Sequence, residues 1–117
     1  MFSYEIENGW YISPINMNCD TACEKNGLIC SKTELHSHNL EVDSSGELLR
    51  LIRQLGGSTA ASSCSGAYGS EPDVPVFNAE FCLYSSSSRS LATFNCSRVS
   101  TPEAQQKHRL CYCHSVV

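Results

Sequence analysis

Eight cysteines among 117 residues constrain this chain more than any other feature. They fall as Cys19-x3-Cys23-x6-Cys30, then Cys64, Cys82 and Cys96, then Cys111-x-Cys113. An even count at irregular spacing in a short chain reads as a disulfide framework formed in an oxidising compartment. Zinc ligation by these cysteines with His36, His38, His108 or His114 is the competing chemistry. It favours two separated knuckles with two to four residues between ligands. Cys19 and Cys23 fit that loosely, but Cys111 and Cys113, one residue apart, make a poor chelating turn. A thioredoxin-like C-x-x-C is absent. The expectation is therefore four disulfides, no metal and no cofactor, in a secreted or luminal protein. The opening Met1-Phe2-Ser3-Tyr4-Glu5 lacks the basic start and apolar core of a signal peptide. A mature chain, or a domain of a longer one, is expected.

Eight cysteines allow 105 pairings, and local geometry narrows them. Cys19 and Cys23 sit at i and i+4 of a predicted helix, on one face and about 6 Å apart. Cys111 and Cys113 sit at i and i+2 of a predicted strand, on one face at about 6.5 Å. The matching spacings let a helix lie along the strand with two side-by-side bridges, in either order. A bridge within either close pair would strain the required Cα separation. Nesting of the remaining four suggests Cys30–Cys96 and Cys64–Cys82. The outer bridges would close loops of about 90 residues, worth roughly 4 kcal/mol each in the chain-entropy picture.

The rest of the chain reads as short elements of an α+β domain. Phe2, Tyr4 and Ile6 alternate with polar residues, a half-buried strand pattern over residues 1–8. Trp10-Tyr11-Ile12 is a second strand signal. Residues 19–26 are predicted helical, capped by Thr21 with Glu24 or by Asp20, and stopped at Asn26-Gly27. Residues 31–43 read as an exposed polar connection. Ser44 and Glu47 open the clearest helix, with Leu48, Leu49, Leu51, Ile52 and Leu55 on its apolar face and Gly56-Gly57 as its stop. Residues 57–75 are a loop by composition. Phe81–Tyr84 and Leu91–Cys96 are predicted to pair as a hairpin around a Ser85–Ser88 tip, whose serines are candidate acceptors of O-linked sugar. Ser100-Thr101-Pro102-Glu103 starts a short helix to about His108, and Arg109–Cys113 is the last strand. The fold class is a small disulfide-rich α+β domain, two to three short helices on a mainly antiparallel sheet. Residues 1–8 form a strand-like extension and residues 9–117 the cysteine-rich domain.

Function classes separate on chemistry. A net charge of -4 with scattered basic residues argues against nucleic acid. No apolar run reaches the roughly 18 residues of a membrane span. No G-x-S-x-G or phosphate loop occurs, and the acid pairs Glu5/Glu7 and Glu41/Asp43 read as solvated charges, so no enzyme is expected. Asn95-Cys96-Ser97 is a formal N-glycosylation sequon. The leading expectation is a non-catalytic secreted structural or interaction module. Its partners are other protein chains; the strand of Phe2, Tyr4 and Ile6 pairs either within its own domain, the favoured option, or with the sheet edge of a second copy, which would make the protein a subunit of an extracellular polymer. The alternative is a lectin-like module that binds glycans, with Trp10, Tyr11, Tyr68 and Tyr84 as candidate platforms; for Trp10 a core role is favoured.

The run from Trp10 to Cys113 resembles the cysteine-rich C-terminal module of the animal α-1,6-mannosylglycoprotein 6-β-N-acetylglucosaminyltransferases, the N-acetylglucosaminyltransferase V family. The matching residues are Cys19-Asp-Thr-Ala-Cys23-Glu-Lys-Asn-Gly-Leu-Ile-Cys30, the Phe94-x-Cys96 segment and Arg109-Leu-Cys111-Tyr-Cys113, with Cys64 and Cys82 in order between them. The resemblance implies Cys19–Cys111, Cys23–Cys113, Cys30–Cys96 and Cys64–Cys82, and so selects the parallel order of the outer bridges. It also implies a luminal or extracellular location. In that family nucleotide-sugar binding and the catalytic carboxylate belong to a large domain outside the module, so no catalytic residue carries over. Residues 56–80 differ most from the pattern.

Overall fold

The computed structural model describes residues 7–116. The domain is α+β and disulfide-rich. Its regular elements are β1 (Gly9–Ile12), α1 (Cys19–Glu24), α2 (Lys32–Ser37), α3 (Ser45–Gln54), β2 (Val76–Phe77), β3 (Cys82–Leu83) and β4 (His108–Cys113). The strands form one antiparallel sheet in the order β1-β4-β2-β3.

Side chains alternate across a strand, and the register sorts them into two faces. Trp10 and Ile12 pair with Tyr112 and Leu110, and Phe77 pairs with His108 and Cys82. This face packs on α3, where Leu48, Leu49 and Ile52 meet Phe77, Cys82 and Leu110 in an apolar core. The opposite face carries Tyr11, Arg109, Cys111 and Cys113. There Cys111 and Cys113 join Cys19, Ala22, Cys23 and Leu28 in a second core, rich in sulfur.

The bridges are Cys19–Cys111, Cys23–Cys113, Cys30–Cys96 and Cys64–Cys82. They run in the order the resemblance implies. The outer two have equal Cα separations of 5.3 Å, because one helical turn of α1 lies alongside two residues of β4. With all eight cysteines bridged, no free cysteine is left.

Several elements depart from the sequence reading. The cap of α1 is Asn18, whose Oδ1 accepts from the Thr21 N–H at 2.8 Å. Thr21 and Asp20 are already inside the first turn, where their own backbone is helical and they cannot cap it. Residues 31–43 are no exposed connection. Ser31 caps α2 by accepting from the Glu34 N–H at 3.2 Å, and Leu35 and Val42 are buried. The α3 cap is as read: Ser44 Oγ accepts from the Glu47 N–H and donates to the Glu47 carboxylate. Gly57 ends that helix under the sheet, where an added Cβ would stand 2.8 Å from Phe77 Cζ.

The expected hairpin is replaced as well. β3 pairs with β2 around Asn78, whose Oδ1 accepts from the Glu80 and Phe81 N–H groups. Residues Leu91–Thr93 form a 3-10 turn instead of a strand. Arg89 explains the change: its guanidinium donates to the Thr93 carbonyl and hydroxyl and lies 3.8 Å over the Phe94 ring. Ser85, read as part of an open tip, is fully buried and donates to Asn39 Oδ1. The helix expected after Pro102 is a single 3-10 turn, Glu103–Gln105, ended by Gln106 at φ 51°.

Arg109 organises the segments that lack ladder bonds. It is 1% exposed. Its Nε donates to Asp73 O, Nη1 to Asn95 O and Arg98 O, and Nη2 to Pro72 O. Burial lowers the pKa of Arg109 and of Arg89 to about 10, which leaves both charged at neutral pH. A buried cation wrapped in carbonyls is the arrangement that offsets its desolvation.

Candidate functional site

The two edges of the sheet are unlike. Beyond β3 the chain returns: Ser65 bridges Leu83, donating to Cys82 O and accepting from the Tyr84 N–H. The Cys64–Cys82 bridge fixes that cover. Beyond β1 no described residue pairs. Ser13 N–H donates to Arg109 O, which sets the phase of the ladder. Gly9 and Tyr11 therefore aim their backbone groups at β4, while Trp10 and Ile12 aim theirs outward. An open row of donors and acceptors is a template for another strand.

Beside this edge runs a seam between β1 and α3. Trp10, Ile12, Leu51 and Leu55 line it, each half-buried and packed against the apolar core. The seam holds two concavities, one for each same-face residue of β1. Near Trp10 a hollow of about 260 Å³ is closed by Glu41, Arg50 and Gln54. Near Ile12 a larger one of about 700 Å³ reaches Leu55, Gly57 and Phe77.

Trp10 is neither a core anchor nor an open platform. Its indole Nε1 donates to Glu41 Oε1 at 3.0 Å, and its ring meets Tyr112 edge-on at 5.6 Å. His38 stacks on Tyr112 at 3.5 Å and sets its two nitrogens against Glu41 at 2.6 Å and Glu34 at 3.4 Å. One face of Tyr112 is thereby taken. Burial works against the Glu41 carboxylate, yet the Trp10 and His38 hydrogen bonds and the His38 charge hold its pKa below the ordinary value. Burial, with Glu41 and Glu34 alongside, raises the Tyr112 phenol. The cluster joins β1, β4, α2 and the 3-10 turn Asn39–Glu41 at the end of the seam.

The remaining sequence candidates fall apart spatially. Phe2, Tyr4 and Ile6 lie outside the described residues. Asn95 is exposed, and its Oδ1 accepts from the Ser97 N–H and hydroxyl, at 2.9 and 2.8 Å, so its amide nitrogen is turned from that contact. It lies by the sulfur core and far along the fold from the seam, its carbonyl held by Arg109. Asp20 approaches Cys30 and Cys96 within 4.8 Å, but those sulfurs are bonded to each other and offer no thiolate.

The histidines serve structure. His108 Nδ1 meets Ser13 O at 2.7 Å. His114 Nε2 lies 3.1 Å from Ser31 Oγ, a serine–histidine pair, but that hydroxyl is already the cap of α2. His36 meets Phe94 edge-on. What sequence reasoning missed was Glu41, Arg89 and Arg109, whose roles depend on distant partners; Ser31-x-x-Glu34 did carry a capping signal for α2.

No described helix is long and apolar enough to cross a membrane, and four disulfides fit the secretory lumen or the extracellular space. The chain matches no protein-family model, and no curated protein matches it either.

Proposed function

We propose that this chain is a non-catalytic, secreted interaction module that takes up an extended strand along the outer edge of β1. A second copy of the chain is its first partner, so that copies build an extracellular polymer. The observation that carries this reading is the outer edge of β1, unpaired among the described residues, beside the half-buried seam of Trp10, Ile12, Leu51 and Leu55. In strand addition, backbone hydrogen bonds supply affinity, and hollows for alternate side chains supply specificity. The alternating Phe2, Tyr4 and Ile6, directly before β1 in the chain, have the pattern such a seam accepts.

Three further points support it. The resemblance to the cysteine-rich module of the N-acetylglucosaminyltransferase V family supports a secretory route, and in that family the catalytic machinery lies outside the matching module. His108, His114 and His38 are engaged in backbone, cap and carboxylate contacts, and His36 in a ring contact with Phe94. Asn95, the sequon residue, is exposed and has its carbonyl held by Arg109 on the sheet face opposite the seam, so an N-linked glycan attached there would leave the β1 edge clear.

The test is the mass in solution of the full chain and of a chain lacking residues 1–6, measured by sedimentation at matched concentration. The full chain is expected to associate and the shortened one to be monomeric. A synthetic peptide of residues 1–6 in excess should dissociate the assembly. Equal association of both chains, or monomers throughout, overturns the reading. The glycan is checked separately, as a mass loss on replacing Asn95 by Gln in protein from eukaryotic secretory cells.

A further inference from the structure

A third concavity lies where the 66–74 loop faces the 101–107 segment, adjoining the larger seam hollow through Phe81 and Gln105. It has a volume of about 510 Å³, within the range of small-molecule sites, about 300–1,000 Å³. Tyr68 stands at its rim with 61% of its surface exposed. Phe81 adds a half-buried aromatic wall, and Gln105 an exposed amide.

The floor is unusual. Lys107 lines the cavity yet is only 5% exposed. Lysine is almost never so buried unless its charge is paired. Its Nζ donates to Thr101 O at 2.7 Å and approaches Asp73 Oδ2 at 3.5 Å. An ammonium has three donors, and these contacts use two, so one N–H is left without a protein acceptor among the described residues. Asp73 also lines the cavity, its side chain 15% exposed and its Oδ2 facing the Lys107 ammonium.

Both groups are held still. Arg109 binds the Pro72 and Asp73 carbonyls. The Tyr68 loop is pinned by Glu71 N–H on Tyr68 O and by Ser86 N–H on Gly69 O. The cavity is therefore preformed, which lowers the ordering cost of binding.

We propose that this cavity binds a neutral saccharide ring. A pyranose has an apolar C–H face and a rim of hydroxyls. The C–H face matches the exposed Tyr68 ring. The hydroxyls match the spare Lys107 donor, the Asp73 acceptor and the Gln105 amide, with charge-assisted bonds to the first two. Glu71 and Asp73 line the cavity, and the Asp73 charge is already answered by Lys107 and by Arg109 behind it, so a neutral ring is the favoured occupant and an acidic sugar would face the Glu71 carboxylate. The aromatic that serves is Tyr68, since Trp10 and Tyr112 at the seam are engaged with Glu41 and His38. The site is independent of the strand-addition reading, and either stands if the other fails.

The experiment is nitrogen-15 NMR titration of the oxidised full chain with neutral disaccharides (lactose, cellobiose, mannobiose and diacetylchitobiose) and with digalacturonic acid. Saturable shifts centred on Tyr68, Thr101, Gln105 and Lys107 are expected for at least one neutral sugar and not for the acid. Tyr68→Ala should weaken binding about tenfold or more, and Tyr68→Phe should retain it. Gln105→Ala, at an exposed site that the fold does not need, should weaken it several-fold. No saturable shift with any neutral disaccharide overturns the proposal. So do shifts centred on Trp10, or binding that Tyr68→Ala and Gln105→Ala leave unchanged.

Discussion

The two faces of the sheet are held by different physics. On the α3 face, Leu48, Ile52 and Leu110 are fully buried, and cohesion comes from removing apolar surface from water. On the α1 face the six-residue helix is too short to bury much. Its place is fixed by two covalent bridges, and the loops beside it are gathered by one buried guanidinium. The lesson is that a small domain can have one face of ordinary core and a second made almost without aliphatic side chains. The second works only if sulfur and cation are both in place.

The comparison can be broken most severely at Arg109. Arg109→Leu leaves four carbonyls without a donor, at about 1–3 kcal/mol each, and should cost about 4 kcal/mol or more in denaturant unfolding. Arg109→Lys should restore only part of this, since an ammonium is a point charge that cannot span four acceptors. A loss below about 1 kcal/mol in the Leu variant would show that the loops hold themselves.

The bridges come next, and they should not act additively. Cys19–Cys111 and Cys23–Cys113 close loops of 92 and 90 residues, nearly the same loop. Removing both by Ala substitution should cost about 4–5 kcal/mol in the chain-entropy picture, whereas removing one should cost well under half of that. Equal and additive losses would mean that the bridges act by packing and not by chain constraint. On the opposite face, Ile52→Ala should cost about 3 kcal/mol, within the span seen for core truncations. That loss should be the same with the outer bridges present or absent if the two faces are independent.

Smaller effects sharpen the picture. Ser44→Ala removes the α3 cap and should cost about 1 kcal/mol. Glu41 gives a pH signature at the seam. Its folded pKa lies below the ordinary 4.5, so its contribution is present above that value and is lost as pH falls through the lowered one. The gap in melting temperature between the native chain and Glu41→Gln should be wider at pH 6 than at pH 3. An equal gap at both would cut the link to the Trp10 and His38 contacts.

Legibility followed the range of the interaction. Ser44 with Glu47, the apolar stripe of α3 and the strand at Arg109–Cys113 are local patterns, and each forms where its residues indicate. Leu91–Cys96 has strand chemistry, but β3, its expected partner, is flanked by β2 and by Ser65, and Arg89 draws Thr93 and Phe94 into its own contacts. Ser31-x-x-Glu34 is a capping signal set among polar residues, and only the tertiary burial of Leu35 and Val42 distinguishes the segment from an exposed connection. Of the candidate site, Trp10 and Ile12 were legible as strand residues. That β1 lies at an edge, with Leu51 and Leu55 beside it, depended on which strands pair.

The amino-acid sequence by itself determined the oxidised framework and the matched spacing of Cys19/Cys23 with Cys111/Cys113, because helix and strand periods are local properties of the backbone. Tertiary structure alone decided that β1 is left unpaired on its outer side by the described residues while β3 is covered, that Arg109 binds carbonyls from two distant loops, and that Lys107 and Tyr68 share a cavity. Those outcomes depend on contacts between residues far apart in the chain, where no periodicity in the sequence records which neighbour is met.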